Sequence, residues 1–544
     1  MKRRTFLKSA AAGIAAAPFF LEGMPVRAST PLKYLAAMQP QANLNQRILI
    51  ICQLFGGNDG LNTIIPADDK NYPFYQSLRP NIYIPKEKCV PYANIYFAPT
   101  LSYGDKGGLV SLLQQGSLAV VQGIGYTNPN LSHFRSTDIW LSGINNSDPD
   151  YLLDTGWVGR YLEKQYPNFP ASLPDDPLAI QFGGFSLALD SAKGRMGIEV
   201  NDPSKQAGVG ASASADSLDD ESTGTSYLNE YNFVADIAAR SNKYAARVQQ
   251  AYNAGKTQLT GHYGSDSFAT QMANCAALIA GGLNTNVYVV SLGGFDNHVS
   301  EIIPGGTFDQ GAHPSLLFQF SDAIAQFMYD MVKLNMGDRV LGLTVSEFGR
   351  RQYENGSLGT DHGTSSIQFV FGTQVNSGAF GYIPDLNPVD LGEDTNGDLV
   401  SNIDYHQVYL EVLTKWFDMS IDDARLLFPD PKSYYTIPLD PLPVIQTQQN
   451  YVNYNPNTAK LAIGGNYPNP FANRTTISLD IPQSGFVTLD VSSIDGKFTQ
   501  RIFGRNFSVG SQSVPVDLDL ASGNYLLIAR SGGMTATKMV QCVK

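Results

Sequence analysis

The sequence predicts an α/β domain, with a mostly parallel sheet flanked by helices, followed by a small C-terminal antiparallel β-sandwich. Short apolar runs rich in β-branched residues alternate with helix-period patterns between residues 47 and 417. This alternation favours a parallel sheet wrapped by helices. Several of the apolar runs end abruptly in glycine and polar residues. From Thr475 onwards the pattern changes to short strands separated by turns, which is typical of a β-sandwich.

Composition bounds the classes of protein that need to be considered. The chain has 544 residues, of which 43% are hydrophobic, and a net charge of −12. The length favours more than one domain, and the acidic balance argues against a nucleic-acid binder. A phosphate-bearing substrate stays compatible with this charge, because bound metal ions reverse the local field. The four cysteines form no CxxC pattern, and we expect small buried thiols.

The elements of the main domain follow in chain order. The predicted strands are Arg47–Leu54, Ser117–Gly123, Asn286–Leu292 and Val340–Val345. The predicted helices are Leu109–Gln115, Phe134–Leu141, Gly156–Tyr166, Leu228–Ala254, Ser267–Gly281, Pro314–Leu334 and Tyr405–Phe417. Residues 201–225 are rich in Ser, Ala, Gly and Asp and nearly free of large apolar residues. This composition predicts a flexible surface insert.

Acidic and histidine residues follow three of the predicted strands. Asp59 lies between glycines after the first strand, and Asp296 and His298 follow the third. Glu347 follows Val340–Val345, and the sequence Thr360-Asp361-His362-Gly363 comes soon after. Parallel strands present ligands at their carboxyl edge, and residues two apart in extended chain point to the same side. We therefore expect these side chains to converge.

The loop after the second strand carries candidate catalytic groups. Thr127 and Ser132 offer hydroxyls, and His133 stands where a helix begins. Backbone N–H groups at a helix start favour an anion. His133 either orients substrate, binds metal or makes a helix-start hydrogen bond. Arg350 is a candidate for clamping an anionic group together with its neighbour Arg351, and a structural ion pair is the competing interpretation.

The residue types favour a transition-metal centre. Asp, Glu and His together suit Zn²⁺ or Mn²⁺ better than an all-oxygen calcium cage. The hypothesis is that two divalent ions polarise a phosphoester or related ester and activate a hydroxyl or water. Asp394, Asn396 and Asp398 have some character of a calcium loop, although its glycine is not at the usual turn position.

The N-terminus has the features of a targeting segment. The basic run Lys2-Arg3-Arg4-Thr5-Phe6-Leu7-Lys8 precedes the mildly apolar stretch Ser9–Leu21, and Val26-Arg27-Ala28 offers a cleavage site. The apolar stretch is too short to span a bilayer stably, and we expect no transmembrane segment. The twin arginines resemble a twin-arginine (Tat) leader, which predicts a signal peptide over residues 1–28 and export by the Tat translocase.

The C-terminal part resembles the type A sorting domain of type IX secretion in Bacteroidetes. The residues that carry this resemblance are Asn466-Tyr467-Pro468-Asn469-Pro470-Phe471, Asp495-Gly496-Lys497, Gly523-Asn524-Tyr525 and Lys538. The resemblance implies that residues 466–544 are an export address read by the type IX secretion machinery. Residues 431–465 are rich in Pro, Gln, Asn and Thr and are predicted to form a linker. We expect passage through the periplasm and a final location at the outer-membrane surface or outside the cell.

Residues 29–430 resemble the Tat-exported domain-of-unknown-function fifteen-oh-one family. That family is grouped with the alkaline-phosphatase-like and sulfatase-like enzymes, so the resemblance implies an alkaline-phosphatase-like fold. The matching stretches are Phe55–Pro66, Ser132–Gly143, Gly156–Arg160, Gly293–His298, Ser346–Arg350 and Gly359–Gly363. In that clan two metal ions lie at the carboxyl edge of the sheet beside a Ser, Thr or modified Cys nucleophile.

The resemblance implies a role for each matching residue. It makes Asp59, Asp296, His298, Glu347, Asp361 and His362 the metal ligands, with Ser132, Thr127, His133 and Arg350 as catalytic candidates. Two departures stand out: Phe348 follows Glu347 where relatives carry His, and Pro129 occupies the place of a nucleophilic Thr. The expected function is metal-dependent hydrolysis of phosphate or sulfate esters, on a small or polymeric anionic substrate. The alternative is a degenerate, non-catalytic cell-surface binding or scaffold protein.

Overall fold

The computed structural model describes residues 19–21, 24–26, 47–183, 186–205, 243–387, 397–429, 439–446, 461–481, 485–494, 497–507, 510–531 and 534–544. The chain divides into two units, Met1–Gln46 and Arg47–Lys544. In the first unit Phe19–Leu21 pairs antiparallel with Met24–Val26. The rest of the predicted signal peptide lies outside the described residues. The second unit carries the two parts that the sequence predicts.

A nine-stranded sheet forms the centre of the main part. Its strands are β1 Ile48–Leu54, β2 Leu118–Gly125, β3 Ala179–Gln181, β4 Ile198–Glu199, β5 Val287–Leu292, β6 Val340–Val345, β7 Ser366–Phe371, β8 Gly378–Gly381 and β9 Ile403–Asp404. Their order is β4-β3-β5-β1-β6-β7-β2-β8, and β9 pairs with β2. Only β7 runs antiparallel to its neighbours β6 and β2. The predicted α/β class with a mostly parallel sheet is therefore confirmed.

Helices cover both faces of this sheet. They are α1 Tyr72–Leu78, α2 Gly108–Gln114, α3 His133–Ser142, α4 Trp157–Gln165, α5 Ser267–Ala280, α6 Ala312–Lys333, α7 Tyr405–Glu411 and α8 Ile421–Arg425. Residues 243–255 are also helical, and α7 continues as the π-helix Val412–Trp416. Most of the predicted helix of residues 228–254, and residues 206–225 of the predicted insert, lie outside the described residues.

Alternation along β1 explains how the two layers form. Ile48, Ile50 and Cys52 pack in a core with side chains of α2, α5 and α6. Leu49 and Ile51 point the other way, into a core with side chains of α3, α4 and α7. Strands buried on both faces read as continuous apolar runs, and that is why the sequence indicates them so clearly. The four predicted strands agree with the structure to within two residues at each end.

Two antiparallel sheets follow at the C-terminus. Their strands are β10 Ala462–Tyr467, β11 Arg474–Ile481, β12 Gly485–Ser493, β13 Thr499–Phe507, β14 Gly510–Asp517, β15 Gly523–Ser531 and β16 Met534–Cys542. The sheet orders are β10-β11-β14 and β13-β12-β15-β16. Both sheets contribute to one buried apolar cluster, as a sandwich requires. The sequence pattern predicted the short strands from Thr475 onwards, where β11–β16 lie, and missed β10.

Part of the predicted linker packs on the main part of the chain. Residues 439–446 are described, and Leu442, Val444 and Ile445 are buried. Val375 and Ile445 form an isolated antiparallel bridge, and Leu442 N–H donates to the carbonyl of Gln407. Residues 431–438 and 447–460 lie outside the described residues.

Among the helices that the structure describes, none combines the length and the apolar character needed to cross a bilayer.

Candidate metal centre

Several loops meet at the carboxyl edge of the sheet. Strands β1, β5 and β6 are parallel and in register, so the loops that follow them leave the sheet side by side. Asp296 and His298 follow β5, and Glu347 follows β6. His133 begins α3 beyond the end of β2. A short antiparallel pair, Gly349–Arg350 with His362–Gly363, brings His362 to the same place.

The Oδ1 atom of Asp296 lies among three imidazoles. Its distances to the Nε2 atoms are 3.5 Å for His133, 3.1 Å for His298 and 3.4 Å for His362. Ligand atoms of His133, Asp296 and His362 all lie within 4.8 Å of one another. The Asp296 side chain is 48% exposed, so the group is open to solvent on one side. We call His133, Asp296, His298 and His362 the His/Asp cluster.

The other ring nitrogen of each imidazole has an acceptor. His133 Nδ1 lies 2.8 Å from Glu347 Oε1, and His298 Nδ1 lies 3.0 Å from Asp361 Oδ1. His362 Nδ1 lies 2.9 Å from the carbonyl oxygen of Leu131. Carbonyl and carboxylate oxygens accept, so these partners assign the donor proton to Nδ1 in all three rings. This is the usual outer arrangement of metal-binding histidines, in which Nδ1–H is held and Nε2 is left for the ion.

The inner atoms of the cluster are all electron-pair donors. With Nδ1 protonated, a neutral imidazole presents a bare Nε2. His298 Nε2 and His362 Nε2 lie 2.9 Å apart, and both face the Asp296 oxygen. Lone pairs at these distances repel unless a proton or a metal ion lies among them. Extra protons would place imidazolium ions beside the charged Arg350, whereas one divalent ion satisfies all the inward-facing atoms.

The donor set fits Zn²⁺ or Mn²⁺. Ligands about 2.0–2.1 Å from a tetrahedral zinc ion are separated from one another by about 3.3 Å. The three nitrogen–oxygen distances to Asp296, from 3.1 to 3.5 Å, match that separation. Imidazole nitrogen with one carboxylate oxygen is a common donor set for such ions. The residues present are therefore suited to one ion.

Arg350 is committed to the protein and is not free to clamp a substrate. Its side chain is 1% exposed, and NH2 lies 2.8 Å from Asp296 Oδ1. Its other bonds go to the carbonyl oxygens of Gly56, Gly57, Phe295 and Thr360. The guanidinium thus ties together the loops after β1 and β5 and the loop that precedes His362. Burial opposes ionisation of Asp296, but the hydrogen bond and charge of Arg350 hold its pKa below the usual value.

Glu347 lies behind the cluster rather than in it. Its side chain is 3% exposed, and Oε1 accepts from His133 Nδ1–H and from Gly56 N–H, both at 2.8 Å. The hydrogen bond to Glu347 raises the pKa of His133 above its usual value. The residue expected to bind metal directly instead contacts a cluster histidine, which sequence spacing alone could not reveal.

Phe348, which follows Glu347, packs against the cluster. Its ring centroid lies 4.9 Å from that of His133 and 4.5 Å from that of His362. A Cβ at Gly57 would lie 2.5 Å from the Phe348 ring, and Gly57 has φ +78°, so only glycine fits there. Phe348 therefore fills the space between the loop after β1 and the two imidazoles with an apolar ring.

Asp59 does not join the cluster. Its Oδ2 atom lies 2.5 Å from Arg79 NH1, and its Oδ1 atom accepts from Leu61 N–H. The two side chains of this ion pair are 2% and 0% exposed. The first-strand ligand expected from the family resemblance is thus paired with an arginine that the sequence analysis did not single out.

The other residues that the sequence analysis singled out lie around the cluster or outside the described part of the chain. Thr127 and Ser132 are exposed on the loop that leads into His133, and the Ser132 side chain does not cap its helix. Asp361 contacts His298 Nδ1 and thus supports a cluster member. Arg351 lies beside the Tyr353 ring and 4.0 Å from both Asp361 Oδ2 and Asp398 Oδ1. Of the suggested calcium ligands, Asp394 and Asn396 lie outside the described residues, and Asp398 faces Arg351.

The fold and the cluster define an α/β protein with a candidate mononuclear metal centre at the sheet edge. Residues 155–422 match the family model described as "Protein of unknown function (DUF1501)", and this part of the chain belongs to that family. The resemblance to the domain-of-unknown-function fifteen-oh-one family is thereby confirmed over residues 155–422. The matched region contains Asp296, His298, Glu347 and His362, whereas Asp59 and His133 precede it.

Comparison with other proteins adds little. No curated protein sequence matches the chain. One similar solved structure is titled "Crystal structure of Ps i-CgsB in complex with k-i-k-neocarrahexaose". It is 9% identical and covers 81% of this chain and 83% of its own, with a TM-score of 0.32. A likeness at that level carries no argument about fold or activity.

Proposed function

We propose that the protein is an exported, metal-dependent hydrolase-like protein that acts on phosphate or sulfate esters at the His/Asp cluster. The observation that carries this proposal is the convergence of three Nε2 atoms on one carboxylate oxygen, each with its Nδ1 held by an acceptor. Three Nε2 atoms directed at one carboxylate oxygen, with every Nδ1 proton already donated elsewhere, form an arrangement typical of histidines that bind a metal ion. A divalent ion accounts for this arrangement.

In this proposal the side chains near the cluster have different roles. His133, Asp296, His298 and His362 would hold the ion. An ion held in this way supplies Lewis acidity to an ester oxygen and lowers the pKa of a bound water. Glu347 and Asp361 keep the histidines in the required tautomer, and Arg350 fixes Asp296. The exposed hydroxyls of Thr127 and Ser132 remain the candidate nucleophiles beside water.

Metal content of the full chain tests the proposal. The wild type is compared with an Asp296→Ala/His362→Ala double variant and with Asp105→Ala/His262→Ala, which removes an exposed Asp–His pair with its side chains 3.1 Å apart. We expect about one equivalent of Zn²⁺ or Mn²⁺ in the wild type and in the surface control, and none in the cluster variant. Equal metal content in all three proteins would contradict the proposal.

Ester hydrolysis then separates the enzyme from the scaffold. The metal-loaded proteins are offered 4-nitrophenyl phosphate, bis(4-nitrophenyl) phosphate and 4-nitrophenyl sulfate. Turnover by the wild type and the surface control, lost in the cluster variant, supports the hydrolase. A protein that binds metal and turns over none of the three esters supports the alternative, a non-catalytic cell-surface binding protein. The commitment of Arg350 to backbone carbonyls is the observation that favours this second candidate.

Export belongs to the same proposal. The Tat-type leader over residues 1–28 and the sorting-type tail over residues 466–544 would direct the chain through the periplasm to the outer-membrane surface or beyond. The C-terminal sandwich has its own apolar cluster, as a separable address domain requires. Expression in a host that lacks the Tat translocase, followed by fractionation, tests the first step: we expect the precursor to stay in the cytoplasm.

A further inference from the structure

A second set of metal-ligand residue types is buried near the same sheet edge. Asp59 follows β1, Glu301 follows β5, and His313 lies in α6. Their exposed fractions are 2%, 0% and 2%. Asn62 Nδ2 donates to Glu301 Oε1 at 2.8 Å, and Asn58 Oδ1 lies 3.1 Å from His313 Nε2. Carboxylates and imidazole in this number are what a second divalent ion would require.

A buried arginine pairs with one carboxylate of this set. Arg79 is fully buried, and its NH1 atom lies 2.5 Å from Asp59 Oδ2. Its Nε and NH2 atoms donate to the carbonyl oxygens of Gln352 and Arg351, at 3.0 and 2.6 Å. These bonds fix the guanidinium in one orientation. A planar, always charged group with a fixed fork of donors is well suited to permanent pairing with a buried carboxylate.

The charges of this set balance without a metal ion. Burial opposes ionisation of Asp59, but Arg79 holds the pKa of Asp59 below its usual value. Burial and the charge of Asp59 raise the pKa of Glu301 well above its usual value, so Glu301 is the protonated member of the carboxyl pair. Burial lowers the pKa of His313 to about 4, so its ring is neutral at pH 7. One guanidinium therefore matches one carboxylate.

We propose that Arg79 takes the place of a second metal ion at this sheet edge. The family resemblance implies a two-ion site, whereas this protein would hold one ion. This inference rests on the proposed function for the first ion. The Phe348 ring supports it, because a side chain that offers no ligand atom fills the space between Gly57 and the cluster imidazoles. Within the described part of the chain, His133, Asp296 and His362 form a group whose ligand atoms lie close enough to share an ion, and Asp59, Glu301 and His313 do not belong to it.

The consequence concerns the second positive charge near the reacting centre. In a two-ion site, the two metals share the attacking and leaving oxygens. In this chain the fixed cation nearest the cluster is Arg350, which contacts Asp296 Oδ1, and Arg79 neutralises Asp59. Ester hydrolysis here would therefore depend on a single exchangeable ion.

The stoichiometry of the full-length wild type is the first test. The protein is dialysed to equilibrium against saturating Mn²⁺, or Zn²⁺, and bound metal is counted by elemental analysis. The expected result is one ion per chain, unchanged in Asp59→Asn, because Asp59 is not a ligand. Two tightly bound ions in the wild type, or loss of the bound ion in Asp59→Asn, would overturn the inference.

Removal of the arginine is the second test. Arg79→Ser leaves Asp59 without its counter-ion, and we expect this variant to bind one ion more than the wild type and to melt at a higher temperature with Mn²⁺ than with chelator. Arg79→Lys, the matched control, keeps a cation and is expected to bind no additional ion. A folded Arg79→Ser chain without the additional ion contradicts the proposal; should it not fold, the wild-type and Asp59→Asn counts decide.

The two proposals can fail separately. If the wild type binds no ion, the proposed function is wrong. The inference about Arg79 is then tested by the difference in bound metal between Arg79→Ser and the wild type. A gain of one ion by Arg79→Ser in that case still supports it, and no gain overturns it.

Discussion

His298 and His362 approach each other through their Nε2 atoms at 2.9 Å, although the Nδ1 proton of each ring is already donated elsewhere. His298 donates to Asp361, and His362 donates to the carbonyl oxygen of Leu131. Without a cation between them, the two Nε2 lone pairs repel. In the proposed function, a metal ion among these atoms would remove that repulsion.

Metal-dependent stabilisation follows from this pair. At an ion concentration about a hundredfold above Kd, the wild type should gain about 2.7 kcal/mol in free energy of unfolding. His298→Ala should gain clearly less at the same concentration, because one ligand is missing. Urea unfolding with chelator and with Mn²⁺ measures this. Mn²⁺ is the better probe, because it binds the thiols of the unfolded chain less strongly than Zn²⁺ does. His262→Ala, at an exposed histidine, is the control, and an equal gain in His298→Ala would contradict a ligand role.

The carboxylate behind His133 gives a second prediction. Glu347→Gln keeps an oxygen that can accept from His133 Nδ1–H or from Gly56 N–H, but it removes the negative charge. We expect the metal affinity to fall about 10–100-fold, as it does when an outer carboxylate partner of a ligand histidine is lost. The pKa of His133 in the metal-free protein should fall as well, because the bond to Glu347 raises it.

Competition with a fluorescent chelator measures the affinity, and histidine NMR titration follows the pKa. The matched control is Glu354→Gln, whose carboxylate accepts the backbone N–H groups of Asn81 and Ile82 away from the cluster. Its metal affinity should equal that of the wild type. If Glu347→Gln binds metal as tightly as Glu354→Gln, the outer role of Glu347 is wrong.

The main architecture could be predicted because its strands are long and buried on both faces. Strand β1 carries seven consecutive buried residues, which leaves little ambiguity. By contrast, β3 and β4 have three and two residues, too few for any periodic signal. The direction of β7 was also beyond prediction, because a buried apolar run looks the same in either orientation. Its antiparallel course depends on the short connection from the His362–Gly363 pair.

The candidate site was predictable in its location and less so in its roles. Residues that follow parallel strands must meet at one edge, and this rule found Asp296, His298 and His362. Whether the Glu347 carboxylate contacts an ion or a histidine depends on a displacement of about one side-chain length. The local sequence does not determine that displacement. Arg79 pairs with Asp59 across 20 residues of chain and lies at the end of α1. No motif marks such a contact, because it arises from tertiary packing.

Arg350 gives a third prediction, on stability. Arg350→Met would remove a hydrogen-bond donor from Asp296 and from four backbone carbonyl oxygens. Asp296 is half exposed, so the main cost comes from the buried carbonyl oxygens, each worth about 1–3 kcal/mol when left without a donor, and we expect a total loss of about 3 kcal/mol in the free energy of unfolding. Arg350→Lys should recover little of it, because an ammonium cannot reproduce the fork of the guanidinium.

Urea unfolding in chelator measures this loss without the contribution of bound metal. Arg351→Met is the neighbouring control: its side chain is 20% exposed and donates to Tyr353 Oη at 3.2 Å. We expect it to cost about 1 kcal/mol. Similar losses for the two methionine variants would show that Arg350 does not hold the loops together.

Glu411 gives a prediction about pH that is independent of the candidate metal centre. Its side chain is 2% exposed and accepts from Ile445 N–H at 3.2 Å. Burial raises the pKa of Glu411 to about 8, against an ordinary value near 4.5. Because the folded-state pKa lies above the unfolded-state pKa, the folded protein binds the extra proton. The stability that Glu411 contributes is complete below pH 4.5 and falls as pH rises towards 8, by up to about 1.4 kcal/mol per pH unit.

Glu411→Gln should remove this dependence, because the amide does not ionise and its oxygen can still accept from Ile445 N–H. The measured quantity is the difference in free energy of unfolding between the wild type and the variant, from urea titrations between pH 5.5 and 9. We expect the variant to become the more stable of the two as pH rises, whereas Glu87→Gln, at an exposed glutamate, should run parallel to the wild type. Parallel curves for Glu411→Gln would mean that the Glu411 carboxyl group ionises equally well in the folded and unfolded chains.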